Sequence, residues 1–465
     1  MKIKIKVPSA FTILLGLTVL VAVLSWFIPV GQFERRTDEA LGREVPVAGS
    51  FRSTESTPQG PGDVALAPIS GFYDADSNQA NAIDVVLFLL VVGGFMNLVN
   101  QTGLFQSLVT GMTERLKGRE LFLIPAMMLA FAVAGSTGAM YEESLTLYIL
   151  VLPAFLAAGF DRLTVVAVIF LSINIGVVAS TINPYATIIA STAAQTAFTD
   201  GIGPRLAVWA IGTAFAIAWT MRYAKRVLAD PTRSLVNTDD NQHYRIDASP
   251  NGASRITAMQ WLVLAVFIAA YAVMFTGVLV FDWWMAQMSA VFLVASIVVG
   301  LLARFSEQDI VEHFLEGARQ LLGVAMIIGV ARGVVVIMDD SQMTDTLLHS
   351  ASMLLDGMPK VAFINLMYWV QFLIGFLVPS SSGAAVLTMP IMAPLGDLAG
   401  VDRSLVVSAY QYGNGMMNIV TPTNATLIGS LMLARVGLDA WYRFVWPILL
   451  FMTVLIMLTL SLGVL

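Results

Sequence analysis

The chain has 465 residues, 57% hydrophobic and 12% charged, with a net charge of −6, three histidines and no cysteine. Soluble domains carry about 25% charged residues, so an ordinary soluble globule is excluded. The acidic balance argues against nucleic acid as a partner, and the missing thiols exclude disulfides, thiolate metal sites and a cysteine nucleophile.

Apolar windows of about 20 residues recur from Phe11 to Leu465, each long enough as helix to cross a hydrocarbon core of roughly 30 Å. The sequence therefore predicts an all-α polytopic membrane protein embedded in a lipid bilayer. Residues 1–30 open on "MKIKIK" and run into an apolar stretch too long for a signal peptide, with no cleavage motif after it; they are expected to form an uncleaved first span with a cytoplasmic N-terminus. Residues 31–82, of mixed charge and containing "TPQGPG", are expected to be a periplasmic insertion. Residues 83–118 hold a returning span, Ile83 to Val99, and an amphipathic cytoplasmic arm.

Residues 119–202 carry the least ordinary pattern. Two apolar runs, Leu121 to Gly135 and Leu145 to Gly159, are flanked by Arg115, Lys117, Arg119 and Arg162, which places both outer ends in the cytoplasm. Each is roughly 23 Å long as helix, short of a crossing, so the pair reads as a re-entrant hairpin with "STGAMYEES" at its tip. The following span breaks at "STINPYAT", where Pro184 lacks a backbone donor and disfavours helix at Asn183; "IIASTAAQTAF" is expected to complete the crossing. Residues 203–224 form another span, and the polar residues 225–255 a cytoplasmic linker.

The second half repeats the first. "PAFLAAGFDRLTVV" at 153 lies on "PLGDLAGVDRSLVV" at 394, an offset of 241, and "ATIIAS" lies on "ATLIGS" at an offset of 239. Residues 256–358 supply two spans, the surface stretch "FSEQDIVEHFLEGAR", a further span and a periplasmic arm. Residues 359–437 hold a second hairpin, tipped by "VPSSSGAA", and a second broken helix at "VTPTNATLIGS"; residues 438–465 are the last span. With an extra span between them, the halves are expected to be inverted. Opposed hairpins and interrupted helices in corresponding positions locate a midplane site in secondary transporters.

A charge at the bilayer centre costs on the order of 2.5 to 3.5 kcal/mol, so the adjacent Glu142 and Glu143 need a compensating role. One or both, with Gly138 of the same tip, are candidates to bind the cationic group of a small-molecule substrate. Asn183 in the first break and Thr423 and Asn424 in the second are candidate substrate contacts, because an amide both donates and accepts. Ser381, Ser382 and Gly383 bring hydroxyls and backbone amides to the second tip, and Asn414 precedes the second break between two glycines. Arg332 in "GVARGVVV" is a candidate carboxylate ligand or an outward-reaching side chain. Ser180, Thr181 and Asn183, with Thr421 and Thr423, are candidates for a coupling ion, Na+ or H+. No phosphate-binding or H-E-x-x-H motif is present, so neither an ATP-driven pump, a zinc enzyme nor any bound cofactor is expected.

At "GAMYEES", "AGFDR", "STINPYATIIAS", "SSSGAAVLTMPIMAPLGDLAGVDR" and "NIVTPTNATLIG" the chain resembles the YfcC-type basic amino acid antiporters, relatives of the anaerobic four-carbon dicarboxylate carriers within the ion transporter superfamily. The resemblance implies an elevator-type fold, with 119–202 and 359–437 as the halves of a transport domain sliding against a scaffold of the other spans. It also implies a homodimer in the bacterial inner membrane, and it maps onto Glu142, Glu143, Asn183, Pro184, Pro422 and Thr423. Where relatives commonly have Gly-Asp-Gly, this chain has Gly413, Asn414 and Gly415, one carboxylate fewer near the second break. Amino acid transport is the reading that follows, with a dicarboxylate carrier, a passive channel and an intramembrane enzyme as alternatives.

Overall fold

The computed structural model describes residues 10–38, 43–74, 80, 82–105, 107–108, 111, 119–137, 141–236, 256–281, 283, 285–378 and 380–465. Gly138, the end of the arm expected after Val99 and most of the 225–255 linker lie outside the described residues. Among the described residues, six helices are long and apolar enough to cross a membrane.

Helix α1 (Ala10–Leu24) leads into a small unit of strands and a short helix: β1 (Gly31–Gln32), β2 (Arg35–Asp38), β3 (Arg43–Pro46) and β4 (Arg52–Ser53), then α2 (Pro61–Ser70). Two antiparallel pairs form, β1 with β4 and β2 with β3. Helix α3 (Ile83–Gln101) follows, then α4 (Leu123–Thr137) and α5 (Ser144–Ala157) on either side of the acidic tip. Helix α6 (Arg162–Val178) contains a π-helical turn at Ala167–Leu171. After a break comes a second π-helical turn, Pro184–Ile188, which runs into α7 (Ile189–Ala193) and then α8 (Ile202–Ala229). The expected crossing through "TAAQTAF" is shorter than predicted: the helix caps at Ala194, and Gln195 takes a left-handed conformation at φ 56°.

The second half comprises α9 (Ala258–Phe281), α10 (Met285–Leu302), α11 (Glu307–Asp340), α12 (Met343–Leu355), α13 (Lys360–Leu377), α14 (Ser381–Leu398), α15 (Arg403–Asn418), α16 (Ala425–Leu433) and α17 (Leu438–Gly463). The surface stretch at 305–319 and the following span, expected as separate elements, form one 34-residue helix, α11, about 51 Å long. A Ser306–Asp309 capping box starts it: each side chain satisfies the other residue's backbone amide, so the polar segment begins as helix and never needs to break.

Of three buried apolar clusters, the smallest joins α1, α2 and the end of α11, and the other two organise the rest of the packing. One gathers α4 to α8 and α13 to α17; the other gathers α3, α9 and α10, with Leu145 of α5 among its members. Within the first, α4 packs along α6 and α13 along α15, while α6 and α15 pack on each other. Close approach there depends on missing side chains. A Cβ at Gly135 would fall 2.1 Å from the Ile173 carbonyl oxygen, and one at Gly176 would fall 2.3 Å from that of Ala132. Backbones in contact recover dispersion energy where no hydrophobic force separates helix from lipid. The outgoing arm of each tip touches the short helix of the other half: α5 meets α16, and α14 meets α7.

Candidate functional site

The two breaks are built alike. Asn183 Oδ1 accepts from the amide of Ala186 at 3.2 Å, and Asn424 Oδ1 accepts from the amides of Thr426 and Leu427 at 2.9 and 3.2 Å. Asparagine is a strong N-cap because its short oxygen reaches the orphan amides of the first turn, so each restarted helix begins on a buried amide side chain. The entering sides are tied as well: the Thr181 amide donates to the Ser136 carbonyl at 3.3 Å, and Thr423 Oγ1 donates to the Phe376 carbonyl at 3.3 Å.

The hydroxyls proposed for a coupling ion satisfy one another. Ser180 Oγ contacts Thr187 Oγ1, which donates to Gln411 Oε1 at 3.1 Å, and Gln411 Nε2 donates to the Val177 carbonyl at 2.5 Å. Thr421 and Thr423 hydroxyls lie 2.6 Å apart, and those of Ser136 and Thr181 3.1 Å apart. These are neutral oxygens only, a donor set that suits a hard monovalent cation better than a transition metal. Among the described residues, no group of three His, Cys, Asp or Glu is placed to hold a metal ion.

Glu142 and Glu143 are half-buried at the start of α5, where Glu143 occupies the N-cap position. Carboxylates there lie at the positive end of the helix dipole, which offsets part of their cost. Among the described residues, neither is ion-paired to a lysine or arginine. Asp84 of α3 lies within electrostatic reach of Glu142, and Tyr271 of α9 within reach of Glu143. The neighbouring Thr146 hydroxyl lies 3.0 Å from that of Tyr271. The tip therefore gathers negative charge beside the second apolar cluster.

Each tip is fastened to the broken helix of its own half. Tyr141 OH donates to Asn174 Oδ1 at 3.2 Å, and Ser381 Oγ donates to Asn414 Oδ1 at 3.0 Å. Both members of the second pair stand 240 residues after those of the first. Tyr141 OH also accepts from Asn424 Nδ2 at 2.7 Å, and Asn424 Nδ2 donates to the Asn418 carbonyl at 2.9 Å. Ser380 Oγ accepts from the Gly383 amide at 3.2 Å, starting α14, while Ser381, Ser382 and Gly383 are half-buried.

The structure thus brings Glu142, Asn424, Asn183, Asn414, Ser381 and Thr423 onto the tips and breaks of one packed unit. Arg332 is a correction: it stands on an exposed face of α11 within reach of Asp339, so it joins neither the tips nor the breaks. The apolar heptad-like run around it gave no clue to which side of α11 is covered. Gly138 lies outside the described residues. Tyr141, Asn174 and Thr187 had not been singled out as candidates. The available signal was an asparagine inside the apolar run "LSINIGVV", costly in a membrane unless bonded.

The family model described as "C4-dicarboxylate anaerobic carrier" matches residues 7–465. An uncharacterized protein of Haemophilus influenzae is 33% identical over 485 residues, covering 95% of this chain and 94% of that one. The Escherichia coli K12 protein named "Putative basic amino acid antiporter YfcC" is 28% identical, covering 94% and 92%. Of solved structures, the YdaH transporter of Alcanivorax borkumensis aligns over 98% of each chain with a TM-score of 0.45 and 17% identity. MtrF of Neisseria gonorrhoeae aligns over 98% of this chain and 95% of its own with a TM-score of 0.44 and 16% identity.

Proposed function

The chain belongs to the C4-dicarboxylate anaerobic carrier family, a family of transporters and not of enzymes, and on that footing we propose that it is a secondary active transporter of a basic or zwitterionic amino acid. In this reading it works in the bacterial inner membrane, N-terminus inside, as an elevator-type homodimer. Residues 119–202 and 359–437 form the moving domain, and residues 83–118, 203–224 and 256–358 the scaffold. The observation that carries the cargo reading is the asymmetry of the tips: two carboxylates with no basic partner among the described residues on one, and hydroxyls with neutral amides on the other.

Of Glu142 and Glu143, at least one takes the ammonium or guanidinium end of the cargo. Asn183, Asn414, Thr423 and Asn424, with Ser381, Ser382 and Gly383, face its carboxylate as hydrogen-bond donors. The hydroxyls of Ser180, Thr181, Thr421 and Thr423, with Asn183, are the groups available to a coupling Na+ or to a proton-linked exchange. Two packed helix pairs, α4 with α6 and α13 with α15, support movement of the two halves as one body.

Counterflow in proteoliposomes tests this reading. Labelled arginine or lysine outside should accumulate when unlabelled amino acid is loaded inside, and E142Q/E143Q should abolish it. Absence of trans-stimulation by every amino acid offered would overturn the cargo assignment. The family model favours a second reading, a four-carbon dicarboxylate as cargo. That reading expects labelled succinate to exchange, with E142Q/E143Q retaining activity.

A further inference from the structure

Building on the proposed site, we infer that Tyr141 is a positioning residue that latches the acidic tip to the broken helices of both halves, and that the cargo's carboxylate competes for this latch. A phenol has one hydrogen and can accept as well. Here it donates to Asn174 Oδ1 in α6 and accepts from Asn424 Nδ2 at the start of α16. The Asn424 oxygen is committed to capping α16, so only its amide nitrogen is free to choose between partners.

The second tip is fastened differently. Ser381, at the position equivalent to Tyr141, bonds Asn414 with its hydroxyl and Tyr410 with its carbonyl, both in its own half. Tyr141 is long enough to reach across the pseudo-repeat, and a serine is not. Withdrawing the first tip therefore breaks a bond within its half and one between the halves together.

A carboxylate accepts hydrogen bonds more strongly than a phenol does. Cargo arriving with a cationic end at Glu142 presents its carboxylate to Asn424 Nδ2, takes that donor from Tyr141 and becomes the link itself. The empty tip is held by the protein and the loaded tip by the cargo, so an empty site resists opening. Tyr141 acts through the tip and the asparagines; its part is to hold Glu142 at a fixed distance from both breaks.

The chain has no cysteine, so a single introduced thiol reports local opening without background. T137C, half-buried at the end of α4 beside the tip, should react with a maleimide more slowly than a fully exposed thiol in the purified full-length protein. Adding Y141F removes both bonds of the phenol and should raise that ligand-free rate roughly 30-fold, about fivefold for each net hydrogen bond lost. N424S keeps an oxygen to cap α16 but lacks the amide donor; it removes only the bond between the halves and should give a rise of about fivefold, with Y141F/N424S no faster than Y141F alone. Saturating arginine, which takes over the Asn424 bond but not the Asn174 bond, should narrow the gap between T137C and T137C/Y141F to about fivefold. S296C, buried in α10, reports global opening and should stay unreactive throughout.

An unchanged T137C rate in Y141F, additive effects of Y141F and N424S, or a parallel rise at S296C would each overturn the latch. A narrowed gap under arginine is needed for the competition; a gap of about 30-fold that persists would overturn that part. If no amino acid supports counterflow while the ligand-free rises are seen, the cargo reading fails and the latch between tip and breaks stands.

Discussion

Arg162 donates from Nη1 to the carbonyls of Ala434 and Arg435 at 3.1 and 2.8 Å, and Arg403, 241 residues later, donates from Nη1 to the carbonyl of Ala194 at 2.8 Å. Ala194 and Ala434 are the C-caps of α7 and α16, so each arginine closes the short helix of the opposite half. The last carbonyls of a helix have no intrahelical partner and carry the negative end of its dipole, which is where a guanidinium contributes most. Asp161 and Asp402, one residue earlier, each cap the helix that bears the arginine.

The two clamps differ in burial, and that difference predicts unequal effects. Arg162 is buried, so R162A leaves carbonyls unsatisfied without water and should cost about 1 to 3 kcal/mol. The Arg403 side chain is 28% exposed and shares its guanidinium with Asp397, so water replaces much of what R403A removes. Thermal unfolding in detergent should show a clear loss of Tm for R162A and a smaller one for R403A. The reverse order would mean that burial does not set the strength of the clamp.

Gly135 and Gly176 fix how closely α4 and α6 approach, because an added Cβ at either meets a backbone oxygen that cannot swing aside. G135A and G176A should each force the helices apart, with a cost of about 3 kcal/mol or more and poor yield of monodisperse protein. At Gly16 in α1, a Cβ meets nothing within 4 Å, so G16A should be neutral or slightly stabilising. Size-exclusion profiles of the three variants decide the matter, and a well-behaved G135A would contradict the close packing.

The apolar helices and the breaks were legible because they rest on apolar run length and on proline, both local signals. Which helices can cross was not: Glu120–Thr137, expected as a hairpin arm too short for a crossing, is among the six long and apolar enough, and Phe11–Leu24, expected as the first span, is not. "AGFDR" and "AGVDR" were legible as a repeat, but not the work of their arginines, since Ala434 and Ala194 lie far away in sequence. The slipping register between the halves has a local cause that composition does not reveal. The offset is 241 at Asp161 and Asp402 but 240 at Asn174 and Asn414, and the π-helical turn Ala167–Leu171 between them takes the odd residue. From Asn183 and Asn424 at 241 to Ala194 and Ala434 at 240, the turn Pro184–Ile188 does the same. Tyr141 went unnoticed for a different reason: beside two carboxylates an aromatic reads as packing, and only its partners disclose a polar task.

The 31–58 segment is riveted to the end of α11 and to α12, although its sequence suggested only an insertion. Asp345 accepts from the Phe33 amide at 3.0 Å and pairs with Arg35 at 2.6 Å; Thr346 accepts from the Gly31 amide at 3.0 Å; and Phe51 stacks on His349 at 4.0 Å. D345A removes two of these at once and leaves the Phe33 amide unpaired, at a cost of about 1 to 3 kcal/mol concentrated in this unit. Limited trypsin digestion should then cut at Arg35 or Arg36 severalfold faster, while α3 to α8 stay protected. Unchanged cleavage would mean that the strands hold without Asp345.

Glu142 and Glu143 sit side by side at a helix start, so their side chains leave in different directions and their single variants should separate. Glu142 lies within electrostatic reach of Asp84 and Tyr141, and Glu143 within reach of Tyr271. A hydrogen bond between charged groups contributes about 1.5 to 3 kcal/mol, so losing the carboxylate that touches a cationic cargo should raise KM roughly 10- to 100-fold. With Tyr141 next to it on the site side, Glu142 is expected to be that residue. E142Q should carry the KM increase for arginine, and E143Q should change KM less than about threefold. The opposite pattern would make Glu143 the contact and would turn Glu142 and Asp84 away from the cargo.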